Sequence, residues 1–277
     1  MNTEPEDIVI VPKRHYGRLI GAALVLVALG AIVQAFAVGQ IEWPYVARFL
    51  TVPVILQALA NTIIMAILAM ILGLVLGVIF AVMRLSANPV LSSTALGYIW
   101  FFRAIPVLLQ LLLWYNLALV FPTLGIPGLF AFKTVDVMTP FVAALLGLGI
   151  QQGAFTAEVV RAGLLSVDQG QYEAAQTLGM TRLQLLYRII MPQAMRVIVP
   201  PVGNEFIGMV KLTSLASVVQ FSELLYTAQS IYYANSRVIE LLIVAAFWYL
   251  IVVTILSLIQ GRIEAYYARG VAVSARR

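Results

Sequence analysis

The 277 residues predict an all-α, polytopic transmembrane helix bundle of about six spans, and three observations predict it. Hydrophobic residues make up 62% of the chain and charged residues only 10%, against roughly a quarter charged in an ordinary soluble domain. The apolar residues fall into runs long enough to cross a hydrocarbon core of about 30 Å. The lysines and arginines gather at the ends of those runs rather than in one patch, which indicates membrane topology and not nucleic-acid binding. With no cysteine and one histidine, His15 in the N-terminal tail, disulfides, thiol chemistry and Cys or His metal clusters are excluded.

Residues 1–18 form a polar tail containing Lys13, Arg14 and Arg18. Leu19–Val38 is the first expected span. Ala35-Phe36-Ala37 has the spacing of a signal-peptidase site, but the run exceeds the about 7–15 residues of a signal core, so it is read as a retained helix. Residues 39–53, with Trp43, Pro44, Tyr45 and Pro53, are an interfacial connection. Ile55–Met83 is the second span and carries Gly73 and Gly77 in a G-x-x-x-G, a spacing at which another helix approaches closely. Asn88-Pro89 marks a turn. Gly97–Phe121 is the third span, with Arg103 as an interfacial snorkelling residue and Pro106 in what could be a first helical turn. Pro122–Val137 is expected as a loop, and Thr139–Val160 as the fourth span with Gly147, Gly149 and Gly153 as a small-residue stripe. Ala194–Gln220, interrupted by Pro200-Pro201, Gly203-Asn204-Glu205 and Lys211, is a poor fifth span. Phe221–Arg237 is expected as a loop and Leu241–Ile259 as the sixth span, before a basic tail, residues 269–277.

Between the fourth and fifth spans lies Gln171–Pro192, a polar, helix-signalled elbow. Gln171–Leu178 consists of good helix formers, with Gly179 placed for a left-handed C-terminal cap. Thr181 with Gln184 makes a capping box, flanked by Met180 and Leu185 at staple positions. The second helix is expected to bury Leu183, Leu186, Tyr187 and Ile190, to expose Arg182 and Arg188, and to stop at Pro192. With six spans, twelve lysines and arginines fall on the elbow's side, from Lys13 to Arg277, against Arg48, Lys133 and Arg237 on the other. The positive-inside rule then makes the elbow and both termini cytoplasmic.

No H-E-x-x-H and no G-x-x-x-x-G-K-[ST] occurs, so neither a zinc protease nor a phosphate-cradling nucleotide site is encoded. Transport remains. Charges at membrane depth usually face an interior cavity, and irregular backbone there is tolerated only when buried or lining water. Asn204, Glu205 and Lys211, with Gln151, Gln152 and Glu158, are therefore the candidate polar route for a zwitterion. Glu205 and Lys211 stand about 240° apart on a helix and do not neutralise each other. Glu158 and Arg161, three apart, also read as an internal ion pair. A secondary transporter would use such charges to couple ion flow to a solute; a receptor or scaffold would keep the elbow without needing them.

Glu173-Ala174-Ala175, Gly179 and Ile189-Ile190-Met191-Pro192 together resemble the EAA signature of permease subunits of ABC importers, with Met191 where the pattern has leucine. Phe102-Arg103-Ala104-Ile105-Pro106, Gly153–Arg161, Pro200–Glu205 and Lys211-Leu212-Thr213-Ser214-Leu215 narrow the resemblance to the polar amino-acid branch. Leu212 departs from the acid usual there. The resemblance covers residues 54–268. It implies a five-span type I importer core, preceded here by one additional span, and an elbow that is the coupling helix. Gln171, Glu173, Ala174, Ala175 and Gly179 would then seat on a cytoplasmic ABC ATPase dimer. ATP and Mg would be bound by that partner, with no cofactor in this chain. The resemblance further implies a second permease copy or sister subunit, an external solute-binding protein, a polar amino-acid substrate and the bacterial cytoplasmic membrane.

Overall fold

A computed structural model describes residues 16–126 and 130–268. Most of the N-terminal tail with Lys13 and Arg14, the loop residues Pro127 and Gly128, and the basic tail 269–277 lie outside the described residues. The chain forms two compact units, Met1–Trp43 and Pro44–Arg277. In the first, α1 (Tyr16–Val38) is a 23-residue helix with no buried position in its apolar stretch, about 35 Å long at 1.5 Å per residue.

The second unit begins one residue into the short helix α2 (Trp43–Phe49). α3 (Pro53–Arg84) opens on a proline at its first turn, where the missing N–H is no loss. Its buried positions, Ile55, Ala58, Thr62, Met65, Ala66, Ala69, Met70, Gly73, Gly77 and Ala81, recur at three- and four-residue steps. Several of its Val and Ile residues point elsewhere, Val75 at 54% and Val82 at 59% exposure. The expected third span is not one straight helix. It is α4 (Pro89–Ala104) and α5 (Val107–Tyr115), bent by 100°. Pro106 is the cause: it has no N–H for the Phe102 carbonyl, and it holds Ile105 extended at φ −89°, ψ 129°. The Gln110 amide donates instead to Phe102 O at 3.0 Å and Ile105 O at 2.9 Å.

The expected loop 122–137 contains an antiparallel hairpin, β1 (Thr123–Ile126) with β2 (Phe130–Lys133), followed by one turn, α6 (Thr134–Val137). α7 (Pro140–Leu165) is capped by the Thr139 hydroxyl. The elbow holds α8 (Gln169–Thr177) and α9 (Arg182–Leu185). α10 (Met191–Leu212) follows and is helical throughout, with Pro200 and Pro201 inside it. This corrects the expected irregular backbone there: the prolines remove the ladder donors to Arg196 O and Val197 O without breaking the helix, and the Gln260 amide donates to Pro200 O at 2.8 Å from a neighbouring helix. A 3₁₀ segment, Thr213–Val219, ends at Gln220 in the left-handed region. The expected loop 221–237 contains α11 (Leu224–Asn235), capped by Glu223, and α12 (Val238–Tyr267) completes the fold.

α1, α3, α7 and α12 are long and apolar enough to cross a membrane, and the bent α4–α5 pair is a fifth candidate. The charged residues of α10 keep it from that set on hydropathy, though its 22 residues span about 33 Å. The centre is the α3–α7 pair. A Cβ on Gly73 would lie 2.5 Å from the Gln152 side chain, and one on Gly77 would lie 2.7 Å from Thr156. Gly149 and Gly153 meet Leu72 and Leu76 in the same way. Both sets of contacts advance together along the two sequences, so the helices run parallel, with Arg84 and Leu165 at the elbow's end. Met65, Ala69, Leu111, Leu148 and Met209 fill the core farther from the elbow, and Ala81, Val160, Ile190, Ala194 and Ile198 fill it beside the elbow.

Candidate functional site: an exposed elbow and a polar interior

Two places on this scaffold bring the sequence-predicted residues together. At the elbow, α8 is started by Asp168, whose carboxylate accepts from Gly170 N–H at 2.8 Å. It is closed by Gly179 at φ +69°, with Gly179 N–H donating to Gln176 O at 2.9 Å and Met180 N–H to Ala175 O at 3.1 Å. That pair of bonds is the closure a left-handed glycine permits. The capping box forms as read: Gln184 N–H donates to Thr181 Oγ1 at 3.3 Å and Thr181 N–H to Gln184 Oε1 at 2.9 Å. Thr181→Val should remove that acceptor at a cost of about 1 kcal/mol, seen as faster amide exchange in residues 182–185. Unchanged exchange would show that the box does not hold the turn.

Two expectations for the elbow are corrected. Pro192 does not end the second helix. Leu186–Ile190 widens into a π turn, with Met191 N–H donating to Leu186 O, and the backbone passes Pro192 within the first turn of α10. A widened turn carries the chain past a proline that a tight ladder would reject. The expected buried face is also mostly open. Leu183 is 67% and Tyr187 70% exposed, Leu186 is at the surface, and only Ile190 is buried. Gln171, Glu173 and Ala174 are exposed as well, whereas Ala175 packs inside the chain. The elbow therefore presents a carboxylate, a small residue and uncovered apolar side chains, while α10 leads from it into the bundle.

In the interior, Glu205 on α10 faces α7. Its Oε2 accepts from Gln152 Nε2 at 2.7 Å and from Thr156 Oγ1 at 3.1 Å, and the Gln152 amide also reaches Thr156 Oγ1 at 3.1 Å. No cation pairs with Glu205 among the described residues, so two neutral donors hold a carboxylate able to accept from a further cationic group. Asn204, one residue earlier, turns the other way. It donates to Glu264 Oε1 of α12 at 2.8 Å, an oxygen that also receives the Gln260 amide at 2.9 Å. α10 is thus fastened to α7 and α12 by adjacent residues.

The remaining candidates are dispersed. Glu158 is bound to Arg161 by bonds of 2.7 and 3.1 Å on one oxygen, the internal pair that their spacing allows. Gln151 donates to Ile105 O at 3.5 Å, on the bend. Lys211 is exposed at the end of α10, without an ion-pair partner among the described residues. Arg103 lies over the Phe155 ring, 5.2 Å from its centroid. Thr156, Gln260 and Glu264 were not singled out from sequence. Thr156 was findable as the i+4 neighbour of Gln152 on one helix face, and Glu264 as the i+4 neighbour of Gln260.

A parallel small-residue helix pair, a polar helix led into the bundle by an exposed elbow, and a buried amide and hydroxyl on one carboxylate define a membrane permease. The chain belongs to the family described as binding-protein-dependent transport system inner membrane component, which matches residues 73–268. The arginine transport system permease protein ArgU of Corynebacterium glutamicum is 37% identical over 273 residues, 96% of this chain and 85% of that one. The L-cystine transport system permease protein TcyB of Bacillus subtilis is 38% identical over 221 residues, 79% of this chain and 89% of its own. A solved structure described as an amino acid ABC transporter with histidines superposes with a TM-score of 0.67 at 34% identity, covering 77% of this chain and 94% of that one. The chain is accordingly a permease subunit of an ABC importer. The ion-coupled carrier and the non-transporting scaffold are set aside.

Proposed function

We propose that this permease carries a polar amino acid, that its elbow couples it to a cytoplasmic ABC ATPase dimer which binds the ATP and Mg, and that a solute-binding protein delivers the substrate. The observation that carries the reading is the uncovered elbow: Glu173, Ala174, Leu183 and Tyr187 are open on a segment continuous with α10. Apolar side chains on such a helix need a cover, and a rigid, doubly capped elbow fits a protein groove better than a lipid surface. The relatives named for amino-acid transport support the substrate class. The charge asymmetry supports a cytoplasmic elbow and cytoplasmic termini. A second permease copy or a sister subunit completes the pathway.

Glu205 is the residue we assign to the polar route, accepting from the substrate ammonium in competition with Gln152 and Thr156. Gln152 is assigned to its lining beside Glu205, and Gln151, Asn204, Lys211 and Glu158, which stand apart from that cluster, are assigned to other stretches of the route. Glu205→Gln should lower ATP-driven uptake of amino acids in proteoliposomes several-fold, or change the order of preferred substrates, while the ATPase still copurifies. Wild-type uptake across the same substrates would remove Glu205 from the route. An ion gradient replacing ATP would overturn the coupling itself.

A further inference from the structure

The hairpin at the end of the bundle away from the elbow has two unlike faces. The pairs Leu124↔Phe132 and Ile126↔Phe130 lie on one side of the sheet, and Thr123↔Lys133 and Gly125↔Ala131 lie on the other. One side is thus wholly apolar, with two aromatics whose ring centroids are 5.7 Å apart; the other is small and polar. The apolar side is open among the described residues, with Ile126 at 54%, Phe130 at 48% and Phe132 at 58% exposure. An isolated two-stranded hairpin is marginal in water, and alternation of this kind marks a sheet with one face against an apolar medium.

Its attachment indicates which medium. The base is closed by Thr134, whose N–H donates to Pro122 O at 3.0 Å and whose hydroxyl donates to Phe121 O. The chain arrives from the candidate span α4–α5 through Leu119, Val120 and Phe121, exposed by 83%, 70% and 54%, and leaves within a few residues for the candidate span α7. Both attachments are ends of membrane helices, so the hairpin is tethered at the lipid–water boundary. Phenylalanine side chains enter that boundary with a lysine reaching back toward headgroups.

We infer that the paired strands 123–126 and 130–133 form an interfacial membrane anchor, their Leu124, Ile126, Phe130 and Phe132 face seated in the lipid leaflet and their Thr123 and Lys133 face turned to water. It fixes the outer ends of the bent pair and of α7 at one depth. Because the chain has no cysteine, single cysteines at positions 123, 126, 131 and 132 can be labelled with an environment-sensitive fluorophore and the assembled transporter placed in phosphatidylethanolamine/phosphatidylglycerol nanodiscs. Labels at 126 and 132 should emit to the blue and be quenched several-fold more by doxyl-labelled lipid than those at 123 and 131, which iodide should quench. Phe130→Asn with Phe132→Asn should shift the label at 126 to the red. Equal iodide access at 131 and 132 would place the hairpin in water. Shielding of 132 from both iodide and doxyl lipid would show that a protein covers it. Either result overturns the anchor.

Discussion

A transporter carrying Glu173→Ala together with Gly179→Glu is expected to lose ATP-driven uptake while its membrane bundle stays folded. The two parts of that outcome follow from the same geometry. The Glu173 side chain is exposed and bonds to nothing among the described residues, so its removal belongs with surface changes that move stability by about 0.5 kcal/mol or less. Gly179 has no heavy atom within 4 Å of a Cβ built on it, but its φ is +69°. Any side chain there costs about 1–2 kcal/mol of backbone strain, concentrated in the turn between α8 and α9. The bonds that close that turn join only residues 175–180, so relief of the strain tilts α8 against α9 and leaves the α3–α7 core alone. On the coupling proposed above, an elbow displaced in this way, and stripped of the Glu173 carboxylate, no longer transmits movement. Three measurements separate the readings: thermal unfolding near wild type, reduced copurification of the ATPase, and uptake at background. Wild-type uptake by the double variant would mean that force reaches the bundle through some other surface. The single variants grade the effect, and Gly179→Ala tests the strain without the charge.

How much of this was legible in the sequence depended on whether a residue acts locally. The cap at Gly179 and the box at Thr181 and Gln184 are short-range devices, each determined by a few neighbouring residues, and they form as read. The prolines were harder because their effect depends on what lies beside them. Pro106 bends the chain by 100°, whereas Pro200 and Pro201 leave α10 helical. At the first, the orphaned carbonyl of Phe102 is met by Gln110 from beyond the bend; at the second, α10 is held against α12 by Gln260, which donates to Pro200 O from about sixty residues away in sequence. No local pattern announces that difference. The elbow's open Leu183 and Tyr187 misled for a related reason: periodicity identifies an apolar face but not which molecule covers it. In the interior, Glu205 was found through its charge, while Thr156 shows in the sequence only as the i+4 neighbour of Gln152, and its bond to Glu205 became visible when α7 and α10 were brought together.

The small-residue seam carries the other large expected effect. Gly77→Leu should leave little folded protein in the membrane, because its Cβ would stand 2.7 Å from both Cβ and Cγ2 of Thr156 and 3.2 Å from the Ala157 nitrogen. Those atoms are at or near the backbone and cannot swing aside, so α3 and α7 must separate. Overpacking commonly costs about 1–3 kcal/mol even where neighbours yield, against a total stability of about 5–15 kcal/mol; a leucine at a seam of rigid atoms exceeds the usual case. The damage also reaches chemistry. Thr156 is a donor to Glu205, and Gly73 faces Gln152, the other donor. Pushing α7 away therefore unfastens α10 from its polar partners as well as opening the core. Gly97→Leu is the control, since nothing lies within 4 Å of its Cβ; it should accumulate, melt and transport like the parent. Gly77→Ala with Thr156→Ser should recover part of what Gly77→Ala alone loses, because serine removes Cγ2 and keeps the hydroxyl that donates to Glu205. If Gly77→Leu and Gly97→Leu give equal yields of monodisperse, thermally stable protein, the seam does not determine how α3 meets α7, and the polar cluster must be held by something other than their close approach.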